Sequence, residues 1–292
     1  METEKIIKAG KIASQVRESS KNFIKKDMPL LEIAEKIENE IVKLGGKPAF
    51  PTNLSINEIA AHYTPGYDDK TLAHGLLKVD LGVHVDGWIA DTAYSIDLDT
   101  SKENKILIEA SQKALDNVCN IFKKNISLKE IGKEIQKTIE SYNANPIVNL
   151  SGHSMMKYYL HAGITIPNID NNSPEELEEG LFAVEPFATF GNGKVQDGKL
   201  SEIYIILKRK SIRNSTAREV LDFIENEYET LPLCSRWLVK KFGTKALLAL
   251  KQLEQEGILH RYEQLIEMSH KNVSQAEHTI LIEKDKIEIT TR

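Results

Sequence analysis

Asp80 and Asp91 lie within a segment, Lys78 to Ile96, in which Val79, Leu81, Val83 and Val85 share one parity and Asp86-Gly87 offers a two-residue turn. Alternation at period two around such a turn predicts a β-hairpin. With Asp86 and Gly87 as the loop, Val85 pairs with Trp88, Leu81 with Thr92 and Gly82 with Asp91. Paired residues share a face, so Asp80 and Asp91 become diagonal neighbours opposite the valines, with Cβ atoms roughly 7–8 Å apart or somewhat less. Carboxylates at that separation can lean towards a common pair of cations about 3.5–4 Å apart, an arrangement that activates water for hydrolysis. Gly82, lacking a side chain, is expected to leave the space beside Asp91 open. His84 has the same parity but lies roughly 13 Å from Asp80 along the strand, at about 3.3 Å per residue, and is assigned to the turn end. An isolated hairpin aspartate more often only keeps an exposed strand soluble, so the metal reading depends on further ligands. Only Cys119 and Cys234 are present, which excludes a disulfide framework and a thiolate zinc site and leaves oxygen and imidazole as donors.

The elements that must position these groups are partly legible. Ile6, Ala9, Ala13 and Val16 recur at helical spacing, and Leu30, Ile33, Ala34, Ile37, Ile41 and Leu44 form a second stripe between Pro29 and Gly45-Gly46. Helices are also expected over 102–123 and 127–142, and short strands near Leu181 to Phe187, Ile203 to Leu207 and Glu277 to Ile282. Such a mixture without strict alternation indicates an α+β chain. Between about Ile203 and Leu265 the texture turns to helix formers, Ala217 to Tyr228, Leu233 to Phe242 and Lys245 to Glu256, which predicts an inserted helical, winged-helix-like subdomain over 203–264. From Arg209 to Tyr262 there are ten Lys/Arg against seven Asp/Glu. That balance disfavours a DNA-reading helix and favours a packing or pocket-lining element.

The 292 residues carry a formal charge of −5, which gives no global attraction for nucleic acid or anionic membrane. No apolar segment follows Met1-Glu2-Thr3-Glu4-Lys5, and runs such as Ile203 to Leu207 are too short to span a bilayer. The expectation is a soluble, cytoplasmic monomer with neither DNA nor membrane as partner.

Several segments, in this order, resemble methionine aminopeptidases: Phe50-Pro51-Thr52 with Ala60-Ala61-His62-Tyr63-Thr64-Pro65; Asp80 through Asp91; Gly152-His153-Ser154; His161-Ala162-Gly163; Ala183-Val184-Glu185-Pro186; and Glu277-His278-Thr279. Any one of them occurs by chance, but their ordered conjunction from about residue 50 to 282 is specific. The A-A-H-Y-T-P and H-A-G segments and the helical insert resemble the type 2 branch. The resemblance implies a pita-bread fold over 1–202 and 265–292, a pseudo-two-fold curved antiparallel sheet covered by helices. It implies Asp80, Asp91, His153, Glu185 and Glu277 as ligands of two divalent ions, with Asp91 and Glu277 shared between them. It also implies Glu185, His161 and His62 as catalytic residues, the two histidines binding substrate together with an apolar slot of Phe50, Leu160, Phe187 and Tyr262. The sequence departs from the pattern at Ala276, where Phe is usual, and at Glu263-Gln264, where prolines are usual.

Elementary electrostatics is consistent with that ligand set. Four converging carboxylates would repel one another and take up protons unless compensated, and two divalent cations cancel their charge. Oxygen donors with one imidazole suit cobalt, manganese or iron in an open site, with zinc also admissible. The expected partners are the N-termini of nascent polypeptides, which places the enzyme near the ribosome. Two rival readings share the fold: an Xaa-Pro aminopeptidase-like hydrolase, which has a larger N-terminal domain ahead of its metal motif, and a non-enzymatic ribosome- or RNA-binding relative, in which the ligand set is degraded. His278 points away from Glu277 if the segment is a strand, and His74, His260 and His270 are read as structural.

Overall fold

The computed structural model describes residues 1–284 and 286–292. The chain begins with helices α1 (Thr3–Phe23) and α2 (Leu30–Lys43), then strands β1 (Lys47–Ile56), β2 (Ile59–Ala61), β3 (Leu76–Val85) and β4 (Trp88–Asp97). Next come α3 (Lys102–Ile121), β5 (Ile126–Ser127), α4 (Leu128–Glu140), β6 (Asn145–Pro146), β7 (Ser151–Met155), β8 (Thr165–Pro167) and β9 (Glu176–Leu177). Strands β10 (Gly180–Val184), β11 (Phe187–Thr189) and β12 (Val195–Ile206) lead into α5 (Ser215–Tyr228), β13 (Leu233–Cys234), α6 (Ser235–Phe242) and α7 (Lys245–Gln255). The chain ends with β14 (Leu259–Glu267), β15 (Val273–Gln275), β16 (His278–Glu283) and β17 (Lys286–Ile289).

The hairpin forms as its pattern requires. Asp86 and Gly87 have φ of 51° and 86°, the positive values a type I′ turn demands. The pairs Val85↔Trp88, Leu81↔Thr92 and Gly82↔Asp91 all occur. Val79, Leu81 and Val83 are fully buried against α1 and α2, each contributing about 1.5–3 kcal/mol relative to exposure. With β1, the hairpin makes an antiparallel sheet in the order β1-β3-β4.

A second antiparallel sheet runs β17-β16-β10-β7-β8. Its helix-facing residues Phe182, Val184, Ile280 and Ile282 share a core with Leu107 and Leu115 of α3 and Ile131 and Ile135 of α4. Ser101 and Ser127 start those helices, the first accepting from Asn104 N and the second in a capping box with Glu130. Each half of the molecule is therefore a sheet with a helix pair on one face, the pseudo-two-fold arrangement expected.

The halves join where β4 meets the start of β16. Ala93 N donates to Glu277 O (3.4 Å) and Glu277 N to Ala93 O (2.9 Å). Thr92 Oγ1 donates to Glu277 O (2.9 Å), and Asp91 N donates to Thr279 Oγ1 (2.7 Å). The result is a curled, half-barrel sheet whose seam carries Asp91 and Glu277.

A separate sheet has the order β13-β12-β14-β2, and α5, α6 and α7 share a core with Tyr204 of β12 and Leu259 of β14. The short strand expected near Ile203 to Leu207 is the end of a longer one beginning at Val195. Among the described residues no helix is long and apolar enough to cross a membrane.

Candidate metal centre and substrate cavity

A cavity of about 340 Å³ opens at the seam, and Asp80, Asp91, His153, Glu185 and Glu277 all line it. Each arrives on a different strand or strand end. Asp80 and Asp91 share the inner hairpin face, His153 pairs with Ala183 on β7, Glu185 follows the last residue of β10, and Glu277 precedes β16. One ligand atom from each of Asp91, His153 and Glu277 falls within 4.8 Å of the others. His153 Nε2 stands 3.7 Å from Asp91 Oδ2 and 3.8 Å from Glu185 Oε1.

This arrangement is poorly satisfied by protein alone. Among the described residues, Asp80 Oδ1, Asp91 Oδ1, His153 Nδ1 and Glu277 Oε2 are buried without a hydrogen-bond partner. Burial pushes the Asp80 carboxyl up to about 7. Burial first, and repulsion among the four acids second, hold Asp91, Glu185 and Glu277 well above the usual carboxylate range. Burial also lowers His153 to about 3, keeping its imidazole neutral and able to donate a lone pair. Acids forced into proximity, with unpartnered oxygens and a neutral imidazole beside them, fit divalent cations.

The remaining expected residues, His62, His161, Phe50, Leu160, Phe187 and Tyr262, line the same cavity. His62 follows the end of β2 with φ of 66°, a left-handed backbone that turns the chain. Its Nδ1 lies 3.2 Å from Glu263 O, and the enclosing protein lowers its pKa to about 4. The rings of His62 and Tyr262 meet edge to face at 5.3 Å, and those of His153 and His161 at 4.4 Å. His161 is exposed at the cavity.

One expectation is overturned. The space beside Gly82 is not open, because a Cβ there would meet Phe50 Cε1 at 2.2 Å. Irregularities on both sides of Phe50 in the β1–β3 pairing re-aim its ring across Gly82. Neither sequence departure reaches the cavity lining. Ala276 is buried in the core shared with α3, and Glu263 acts on the site through its carbonyl. His84 Nδ1 accepts from Gly87 N (3.0 Å) at the turn, and His278 faces Arg17 and Thr291.

Sequence reasoning missed Gln275, whose Nε2 donates to Glu185 Oε2 (3.3 Å). Its signal was its parity with Glu277, two positions on. Pro232 and Asn53, which also line the cavity, had no local signal.

A half-barrel sheet flanked by helix pairs, with an acid-lined cavity at its seam, defines a metal-dependent hydrolase of the pita-bread fold. The model of metallopeptidase family M24 matches residues 4–225, and the chain belongs to that family. It is similar to a methionine aminopeptidase of Pyrococcus horikoshii, with 47% identity over 296 residues covering 100% of both chains. The fold resembles a solved methionine aminopeptidase from Thermotoga maritima, with a TM-score of 0.70, 21% identity, and coverage of 99% of this chain and 96% of that one. It also resembles a structure described as a thermophilic Arx1, with a TM-score of 0.83, 16% identity, and coverage of 98% and 90%. At those identities the two structures speak for the fold alone.

Proposed function

We propose that the chain removes the first methionine from other polypeptides as a type 2 methionine aminopeptidase. The observation that carries this reading is the conjunction of full-length similarity to a methionine aminopeptidase with one cavity holding both an acid cluster and an apolar lining. Asp80, Asp91, His153, Glu185 and Glu277 would hold two divalent cations, cobalt, manganese or iron. When bound, such ions supply Lewis acidity that makes water nucleophilic near neutral pH and polarises the scissile carbonyl.

The other steps belong to this chain's side chains. A Glu185 carboxylate oxygen takes the proton from the attacking water and passes it to the leaving amine nitrogen, while Gln275 holds the other oxygen in place. Because Glu263 O can only accept, His62 carries its proton on Nδ1, and its neutral ring offers Nε2 as an acceptor for a substrate N–H. His161 donates to the carbonyl oxygen as negative charge develops there. Phe50, Leu160, Phe187 and Tyr262 receive the flexible thioether. A free α-amino group held against the acid cluster restricts cleavage to the terminal residue. The helical segment 203–264 acts as an insert that completes this lining, and the natural substrates are nascent chains in the cytoplasm.

Protein loaded with manganese, iron or cobalt should release methionine from Met-Ala-Ser and leave the N-acetylated peptide intact. Equal cleavage of the blocked peptide would remove the case for amine recognition.

A further inference from the structure

Arg236 of α6 and Glu38 of α2 form an ion pair whose side chains are only 3% and 9% exposed. Arg236 Nη1 also donates to Pro65 O (2.6 Å) and Thr64 Oγ1 (3.3 Å). Glu38 Oε1 accepts from Thr52 N (3.2 Å), and Oε2 accepts from Trp237 Nε1 (2.8 Å). Thr64 Oγ1 closes the circuit by donating to Thr52 O (2.8 Å). One carboxylate and one guanidinium thus tie together α2, β1, the loop after His62, and α6.

Three of those segments carry cavity-lining residues close to their point of attachment: Phe50 and Asn53 on either side of Thr52, His62 before Thr64, and Pro232 before Arg236. Among the described residues no side-chain hydrogen bond joins Glu38 or Arg236 to the five acid-cluster residues, of which only Asp80 lies opposite β1, across from Asn53. Burying two charges is costly, and an apolar pair of similar size often serves stability as well or better. What the ion pair provides, and an apolar pair cannot, is fixed directional bonds to the backbone of Thr52 and Pro65.

We propose that Glu38 and Arg236 are a positioning pair that sets the spacing of the apolar lining, and thereby how tightly the substrate's first side chain is gripped. The inference rests on the aminopeptidase reading for its substrate. Its defect should fall on KM, because Asp91, His153, His161, Glu185 and Glu277 are carried on other segments and His62, the one histidine attached here, contacts the substrate's N–H.

The test compares the wild type with Glu38→Met/Arg236→Met, which keeps the volume and removes the bonds, and with Arg236→Lys, which keeps the charge but not the fork. In the metal-loaded double variant KM for Met-Ala-Ser should rise about tenfold, with kcat within about twofold and metal stoichiometry unchanged. Arg236→Lys should show a smaller rise, and it carries the same test should the double variant not fold. Hydrogen exchange provides a readout independent of turnover. The Leu54 amide, which donates to Tyr63 O (2.7 Å), should exchange faster in the variants, while amides of β10 and β16 should not. A wild type that cleaves no methionyl peptide would end the aminopeptidase reading, yet exchange would still judge the pair. Unchanged Leu54 exchange, an unchanged KM, or a fall in kcat together with metal uptake would overturn the proposal.

Discussion

The acidic and apolar parts of the cavity are held by different kinds of structure. Asp80, Asp91 and His153 sit on strands with regular partners, and Glu277 is pinned by backbone bonds to Ala93. Phe187 and Tyr262 lie on strands, but the rest of the lining is gathered from irregular places: Phe50 between two breaks in register, His62 in a left-handed turn, Leu160 in a loop and Pro232 just ahead of the two-residue β13. Groups that must hold charge at fixed separations are built into ladders, where a shift of one residue would turn them to the other face. Groups that need only enclose a side chain are placed on segments that can differ in detail without disturbing the first set.

The strongest way to break this contrast is Glu277→Gln. Removing a carboxylate charge from the cluster should cost turnover on the order of 10³-fold and leave less than the full complement of metal per chain. Full metal uptake with ordinary turnover would show that the seam acid is not part of the centre.

A second effect appears without substrate. Asp80 is raised to about 7, and Asp91, Glu185 and Glu277 lie well above the ordinary range. Between the unfolded carboxylate pKa near 4 and those raised values, the folded chain binds more protons than the unfolded one. The metal-free protein therefore loses stability as pH rises through this window. Cations remove that penalty, so the Tm gap between loaded and metal-free protein should widen with pH, by on the order of 10 °C between about pH 5 and pH 8. A constant gap would mean that the acids are already compensated. The smallest effect belongs to the lining. Tyr262→Ala should raise KM for Met-Ala-Ser about tenfold and leave metal stoichiometry and kcat near wild type, and a loss of metal here would erase the distinction between the two parts.

The same distinction governs what the sequence discloses. The hairpin is local, so the alternation of Val79 to Val85 and the Asp86-Gly87 turn suffice for its register down to Gly82↔Asp91. Strand β1 hides because its last eight residues are all buried, which erases alternation, and because Pro48 and Pro51 interrupt it. The first half of β12, Val195 to Leu200, hides for the opposite reason, being largely polar and exposed. His153, Glu185 and Glu277 were reachable through resemblance, since nothing in their neighbourhoods states that distant strands will meet. The Phe50 ring over Gly82 and the Glu38–Arg236 pair depend on contacts between segments far apart in the chain, and no local pattern encodes them.

The seam has a consequence for how the molecule is made. Its fastenings join residues far apart in the polypeptide: Thr3 with Glu283, 280 positions apart; Arg17 with His278, 261 apart; and Thr92 with Glu277, 185 apart. Closing loops of that size costs entropy that only a nearly complete chain can recover. During synthesis Asp80 and Asp91 can meet on their local hairpin, whereas Glu277 joins them only once the final strands exist to anchor it.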